Sequence, residues 1–401
     1  MEKNILILSS TFPLDKHDPV PKFVESQIIN LKKNYKNLNF FVIAPSIKNL
    51  PASSSKYYQQ FRYRYFFSKF EVLGKNGILP SLRSNLLFLF IIPFFILFQL
   101  VFTLKFVKNN KVDLIYAHWV TPQAIVANIV KIIYKVPFVF TSHSKDAEIL
   151  SYIPYFGKKL LNNIVKNSHK FTTVSNFTFL KLLQITDMNK MAINKNLTIP
   201  IGVNTNDYDA VLPSMPNVFE LNNKIKLVFI GRFVKEKGVE KFLFEIKNFL
   251  ECNNNFEVIL CGSGKLFASY KNLINFLNIN KKVRISESFL NTEELKFIYK
   301  NSNFIVIPSL SEGLPVVLQE ALYFGNITIS SIFSNASEYI NQGVNGFLYN
   351  PFNEGELTKL LDEILNNKFD LLKIKQNAYK TGQKFNSKKI AIKTYEHLFI
   401  D

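Results

Sequence analysis

Cysteine is nearly missing from this chain. Cys252 and Cys261 are the two it has, too few for the disulfide framework of a small secreted domain. Cys261 stands in an apolar run and reads as a small core residue. A reducing cytoplasm is the expected setting. Acidic residues are scarce as well: 30 Asp and Glu face 49 Lys and Arg, a formal net charge of +19. That imbalance calls for an anionic partner, whether nucleotide phosphates, an anionic membrane face or nucleic acid. The basic residues are scattered and no nucleic-acid motif is present, which argues against the last of these. No internal repeat stands out. No secretory leader is expected either, because Ile5-Leu6-Ile7-Leu8 is soon interrupted by polar residues and reads as a first strand.

What is there in abundance is apolar. A hydrophobic fraction of 47% over 401 residues supports two domains of ordinary size with large cores. β-branched runs alternate with helical periods along the chain, the pattern of parallel α/β sheets. Strands are expected at 5–9, 112–116, 137–142, 171–174, 225–230, 256–261, 283–285 and 304–307, and a helix from Phe385 to Phe399.

One stretch organises the rest. Phe304-Ile305-Val306-Ile307 reads as a buried strand. A loop with Glu312 and Gly313 follows, then Leu314, and Pro315 stands where a helix begins, ahead of Val316. Strand, glycine-bearing loop and helix start together make an anion site, since first-turn N–H groups and the helix dipole point at it. Glu320 falls about five residues into that helix, roughly 7–8 Å from its start at 1.5 Å per residue. Two carboxylates so spaced can each accept paired sugar hydroxyls on either side of a bound phosphate. Taken alone they are equally two solvated glutamates.

The pattern Pro308-Ser309-x-x-Glu312-Gly313-x-Pro315, with Glu312-x7-Glu320 and then Ala321 and Gly325, resembles the signature of glycosyltransferase family 4. These are retaining, sugar-nucleotide-dependent enzymes of the GT-B fold, two Rossmann-like lobes facing a cleft. The resemblance implies an N-terminal acceptor lobe over 1–203 with helix 385–401 crossing back to it, and a C-terminal nucleotide-sugar lobe over 204–384. Gly231-Arg232 with Glu236-Lys237-Gly238 sits where the family holds the donor diphosphate, so Arg232 and Lys237 would carry the positive charge that a departing diphosphate needs. Gly262 and Gly264 resemble the nucleotide loop, and Arg284 lies on the strand that would flank the base. Ser334-Asn335-Ala336-Ser337-Glu338 stands where many members have Gly-Gly-x-x-Glu. In the first lobe, Asp113-x-Ile115-x-x-His118 and Thr141-x-His143-Ser144-x-Asp146 resemble family strand ends, with Ser144 in place of glycine. His143 would line the reacting face of the donor sugar, and His118, Asp146 and Ser175 the acceptor side. The glycine that many members carry close to Pro21 is absent. Gly202-Val203-Asn204 leads into the hinge. Asp207-Tyr208-Asp209 matches a metal motif of a different fold and reads here as a helix start. No metal or cofactor is implied; a UDP- or GDP-sugar enters as substrate and a glycan or lipid-linked glycan as acceptor.

Leu86 to Phe102 is nearly all apolar, broken by Pro93 and Gln99. Three readings stay open: a membrane-surface helix flanked by Arg62, Arg64, Lys69, Lys75, Arg83, Lys105 and Lys108, a plain core helix, or a short transmembrane helix. The first places the protein at the inner face of the cell membrane. Two rivals to sugar transfer also stay open, a sugar-nucleotide epimerase or phosphorylase, and a non-catalytic scaffold subunit.

Overall fold

The computed structural model describes residues 2–14, 20, 22–47, 55–76, 78, 81, 86–143, 146–153, 155–203, 222–287 and 291–400. Asp18, Pro19, Pro21, Arg83, Ser144, Asn204 and the Asp207-Tyr208-Asp209 triplet lie outside them. The chain divides into two compact units, Met1–Pro200 with Ser387–Asp401, and Ile201–Asn386.

The first unit holds seven parallel strands: β1 (Lys3–Leu8), β2 (Leu38–Pro45), β3 (Gln59–Tyr63), β4 (Leu114–His118), β5 (Phe138–Ser142), β6 (Phe171–Thr173) and β7 (Asn196–Thr198), ordered β3-β2-β1-β4-β5-β6-β7. Ile5 to Leu8 are fully buried, because a parallel sheet is covered on both faces. One face is closed by α1 (Phe23–Asn34) through Val24, Ile28 and Leu31. The final helix, Ser387–Leu398, joins it there. Its Tyr395 stacks on Tyr35 with ring centroids 3.6 Å apart. The other face is closed by α2 (Ile92–Asn109), α3 (Ile125–Tyr134) and α4 (Phe156–Asn167). Helix α2 is the crossover from β3 to β4. Phe95 and Phe106 on it pack against Tyr63 and Phe61, at 5.7 and 5.0 Å between centroids.

The second unit holds six parallel strands: β8 (Ile225–Ile230), β9 (Phe256–Gly262), β10 (Val283–Glu287), β11 (Phe304–Ile307), β12 (Ile327–Ser331) and β13 (Phe347–Tyr349), ordered β10-β9-β8-β11-β12-β13. Helices α5 (Val239–Cys252) and α6 (Val316–Tyr323) lie on opposite faces, each packed into its own apolar cluster. In both sheets the order reverses once, between β1 and β4 and between β8 and β11. Ligands of such sheets bind beyond the carboxyl ends of the strands at that reversal.

Candidate functional site

In the second unit three loops meet at the carboxyl edge, on either side of the reversal. Backbone bonds knit them together. The Gly231 N–H donates to the Cys261 carbonyl at 3.0 Å, Phe233 to Ser263 at 2.8 Å, and Leu310 to Glu236 at 2.8 Å. Gly238 turns the first loop with φ +68, and a Cβ there would stand 2.0 Å from the Pro308 carbonyl oxygen. Only glycine meets both demands.

Charges gather inside this frame. The Lys237 ammonium pairs with Glu312 Oε1, and the Ser309 hydroxyl donates to the same oxygen at 2.8 Å. The Asn335 side-chain amide donates to the Glu312 carbonyl. Asn335 has φ 59, a left-handed conformation that Asn adopts more readily than most residues. It does there what the family's glycine would do. Arg232 is exposed and has no ion-pair partner among the described residues. Pro315 stands just before α6 rather than as its first residue, and no side chain caps that end. The N–H groups of Val316 and its neighbours therefore face outward beside Gly313 and Leu314. Glu320, one turn on, accepts from the Tyr299 hydroxyl at 2.6 Å. Tyr299 is itself buried and stacked on Phe324 at 5.3 Å.

Gly262 and Gly264 belong to this edge, but Arg284 does not. Its Nε pairs with Glu257, whose side chain is 4% exposed. Arg284 is the second residue of β10 and lies opposite Ile259 of β9, about three residues or roughly 10 Å short of the strand's carboxyl end. Its guanidinium offsets a buried carboxylate.

In the first unit His118 ends β4 and His143 follows β5. Their rings lie 5.5 Å apart and His118 Nδ1 is 3.2 Å from His143 Nε2. His118 is fully buried; His143 keeps an exposed edge while its Nδ1 is buried with no hydrogen-bond partner among the described residues. Burial holds His118 well below the usual imidazole range, with His143 adding to the effect. Burial also pushes His143 down to about 3. Trp119 packs on His143 at 5.0 Å and carries φ 79, a strained conformation for a bulky residue of the kind that collects at functional sites.

Asp146 and Ser175, expected on the acceptor side, are both buried and hydrogen-bonded at strand ends. Asp146 does not face solvent. Its Oδ2 accepts from the Val120 N–H at 2.6 Å and its Oδ1 from the Ser142 hydroxyl at 2.8 Å, so it clasps the ends of β4 and β5. Burial pushes it up to about 6 against those bonds. Ser175 is buried and caps a helix, accepting from the Thr178 N–H at 3.1 Å.

A pH dependence follows. Histidines held neutral by the fold cost it nothing above their ordinary pKa near 6.5, and destabilise it as pH falls below that, where the unfolded chain takes up protons the fold does not. Asp146, raised, works oppositely between about 6 and 3.8. Two histidines outweigh one carboxyl, so the thermal midpoint should fall from pH 6.5 to 4.5. A His118→Asn, His143→Asn double variant should show a flatter fall over the same range in scanning calorimetry. An unchanged slope would place the acid sensitivity elsewhere.

Residues 42–206 match the family model described as Glycosyltransferase Family 4, and residues 214–381 the one described as Glycosyl transferases group 1. An uncharacterised glycosyltransferase of Methanocaldococcus jannaschii is 27% identical over 299 residues, 73% of this chain and 77% of its own length. A Campylobacter jejuni α-1,4-N-acetyl-D-galactosaminyltransferase, named for an acceptor on undecaprenol diphosphate, is 32% identical over 159 residues, 38% of this chain and 41% of its own length. Anabaena HepE, solved with UDP and with UDP-glucose, matches at 17% identity with a TM-score of 0.69 over 100% of both chains in the UDP complex. That is a likeness of fold. The two family models follow one another over most of the chain, and it belongs to the group 1, family 4 glycosyltransferases, enzymes of the GT-B fold.

Proposed function

We propose that the chain moves a hexose-type sugar from a UDP- or GDP-sugar to a lipid-linked glycan, with retention of anomeric configuration, in cell-surface polysaccharide synthesis at the cytoplasmic membrane face. The observation that carries this reading is the Lys237–Glu312 pair set before the open start of α6 at the sheet reversal. Arg232, Lys237 and the first-turn N–H groups hold the diphosphate. Glu312 takes sugar hydroxyls and Glu320 the ribose hydroxyls, with Tyr299 fixing its carboxylate. In the reaction the bond from the anomeric carbon to the β-phosphate oxygen breaks. The acceptor oxygen bonds to that carbon on the same face, and its proton passes to the departing phosphate. The fixed cations stabilise the charge that gathers on the diphosphate as it leaves. The first unit supplies the acceptor side, with His118 and His143 neutral at pH 7.

UDP in HepE and the undecaprenol-linked acceptor of the Campylobacter relative support the two substrate classes. The free cysteines, Cys252 exposed and Cys261 buried, suit a reducing compartment.

The test is incubation with a panel of UDP- and GDP-hexoses, with and without a polyprenyl-diphosphate glycan, following nucleotide release and product anomeric configuration. One donor should raise the thermal midpoint, by about 2.7 kcal/mol of stability at a hundredfold excess over Kd. The same donor should yield a retained product, and Glu320→Ala should abolish that shift. Interconversion of the donor without acceptor would make the chain an epimerase, binding without turnover a scaffold, and an inverted product would overturn retention.

A further inference from the structure

Helix α2 is apolar on both its sides, the one against the sheet and the one facing out. Its buried positions are Phe95, Gln99, Thr103, Phe106 and Val107, so two of the five are polar. Its outward line, with the short turn before it, runs Leu87, Phe90, Phe94, Leu97, Phe98 and Val101, all exposed, Phe90 at 75%. Only 22% of the most apolar window of Leu87–Asn109 is buried. A helix covering the sheet of a water-soluble domain turns its apolar stripe inward, and a contiguous outward stripe of this kind marks an interaction surface. The stripe continues through Phe66, 5.5 Å from Phe94 and 5.3 Å from Phe67, which is itself exposed.

Charge says what covers it. From Val72 to Val112 the sequence has Lys75, Arg83, Lys105, Lys108 and Lys111 and no Asp or Glu. Lys105 and Lys108 extend the outward line of α2 and are exposed. At the other end, Lys69 lies over the Phe70 ring at 5.0 Å, and Arg64, 60% exposed, pairs with the buried Glu71 at 3.8 Å. An apolar stripe bordered by cations matches the boundary of an anionic bilayer, with rings among the acyl chains and ammonium groups at the headgroups. A second copy of this chain would bring the same cations against each other. A spanning helix is incompatible with the inner line, which is core to the sheet.

We propose that the outward face of α2 and the turns before it dock the protein on an anionic membrane surface, without crossing it. All strands of this sheet are parallel, so the β3–β4 crossover starts at the carboxyl edge. That is the edge where His118 and His143 stand. The start of α2 and the turn before it stand at that edge, so docking brings one end of it close to the bilayer; that this serves a lipid-borne acceptor rests on the function proposed above, while the docking itself does not.

The test is flotation of the full chain with phosphatidylcholine vesicles and with vesicles holding about 30% phosphatidylglycerol. The chain should bind the anionic vesicles, and alkaline carbonate should strip it off. A Phe94→Gln, Phe98→Gln variant should bind them at least about tenfold more weakly. Lys105→Gln with Lys108→Gln should cost at least about fivefold. Both variants should keep the wild-type thermal midpoint and wild-type transfer to a soluble glycan. Unchanged binding by the Phe variant, resistance to carbonate, or a wild-type dimer in solution that the Phe variant dissolves would each overturn the proposal. A chain that docks as expected yet transfers no sugar to any acceptor would overturn the functional reading alone.

Discussion

Lys237→Ala should cut the turnover of sugar transfer by about a hundred- to a thousandfold at saturating donor, the range seen when one donor to developing negative charge is removed. The fold should survive. The Lys237 and Glu312 side chains are 18% and 17% exposed, and a pair still reached by water contributes about 1 kcal/mol or less. The loss falls on the chemistry because the ammonium has three N–H donors. One is spent on Glu312, which aims the group, and the others stay free for the leaving diphosphate. Lys237→Arg keeps the charge but replaces a compact ammonium with a planar fork, so it should recover only part of the rate. The measurement is kcat for both variants beside their thermal midpoints. A kcat for Lys237→Ala within about tenfold of wild type would remove Lys237 from the diphosphate site and with it the main support for the proposed mechanism.

The region around Lys237 and Glu312 was legible in the sequence because its signals are local. Phe304 to Ile307 is a β-branched run, Pro315 marks a helix boundary, and Glu312 and Glu320 have a spacing that any helix preserves. The distance of Arg284 from the carboxyl edge was not legible, for a reason also local in origin. Strand periodicity gives the face a side chain takes, not its distance from the carboxyl edge. The expected strand, 283–285, ends one residue past Arg284, whereas β10 runs on to Glu287. Ser175 illustrates a competing use of one residue type: a serine at a strand end is just as well the cap of the next helix, and Thr178 three residues on was the available sign. Trp119 had no sign at all. Nothing in its neighbours calls for positive φ, and the conformation is fixed by what packs around it, Phe23 and His143 among them. The exposed side of α2 was also beyond the sequence, since a uniformly apolar run has no stripe to read until the sheet selects one.

Gly262→Ala should be strongly disruptive to the second unit. A Cβ at this position would stand 1.7 Å from the Gly231 carbonyl oxygen and 2.9 Å from its carbon. Both are backbone atoms, with no flexible side chain to give way. Gly231 cannot retreat freely either, because its N–H is bonded to Cys261 and the next turn is tied through Phe233 to Ser263. Relief requires β8 and β9 to separate at their carboxyl ends, which moves the loop holding Arg232 and Lys237 away from the loop after β9. Overpacking of this severity should cost about 3 kcal/mol, lowering the thermal midpoint by about 6–12 °C for a unit of this size. Gly355→Ala is the matched control. It has φ +76 with nothing within 4 Å of the added Cβ, so its cost should be only the left-handed strain of about 1–2 kcal/mol. Donor binding then separates the two kinds of damage. At a temperature where both variants remain folded, Gly355→Ala should bind the nucleotide sugar as wild type does and Gly262→Ala should not. Equal binding by the two would mean that the close approach of β8 and β9 holds the sheet together without shaping the site.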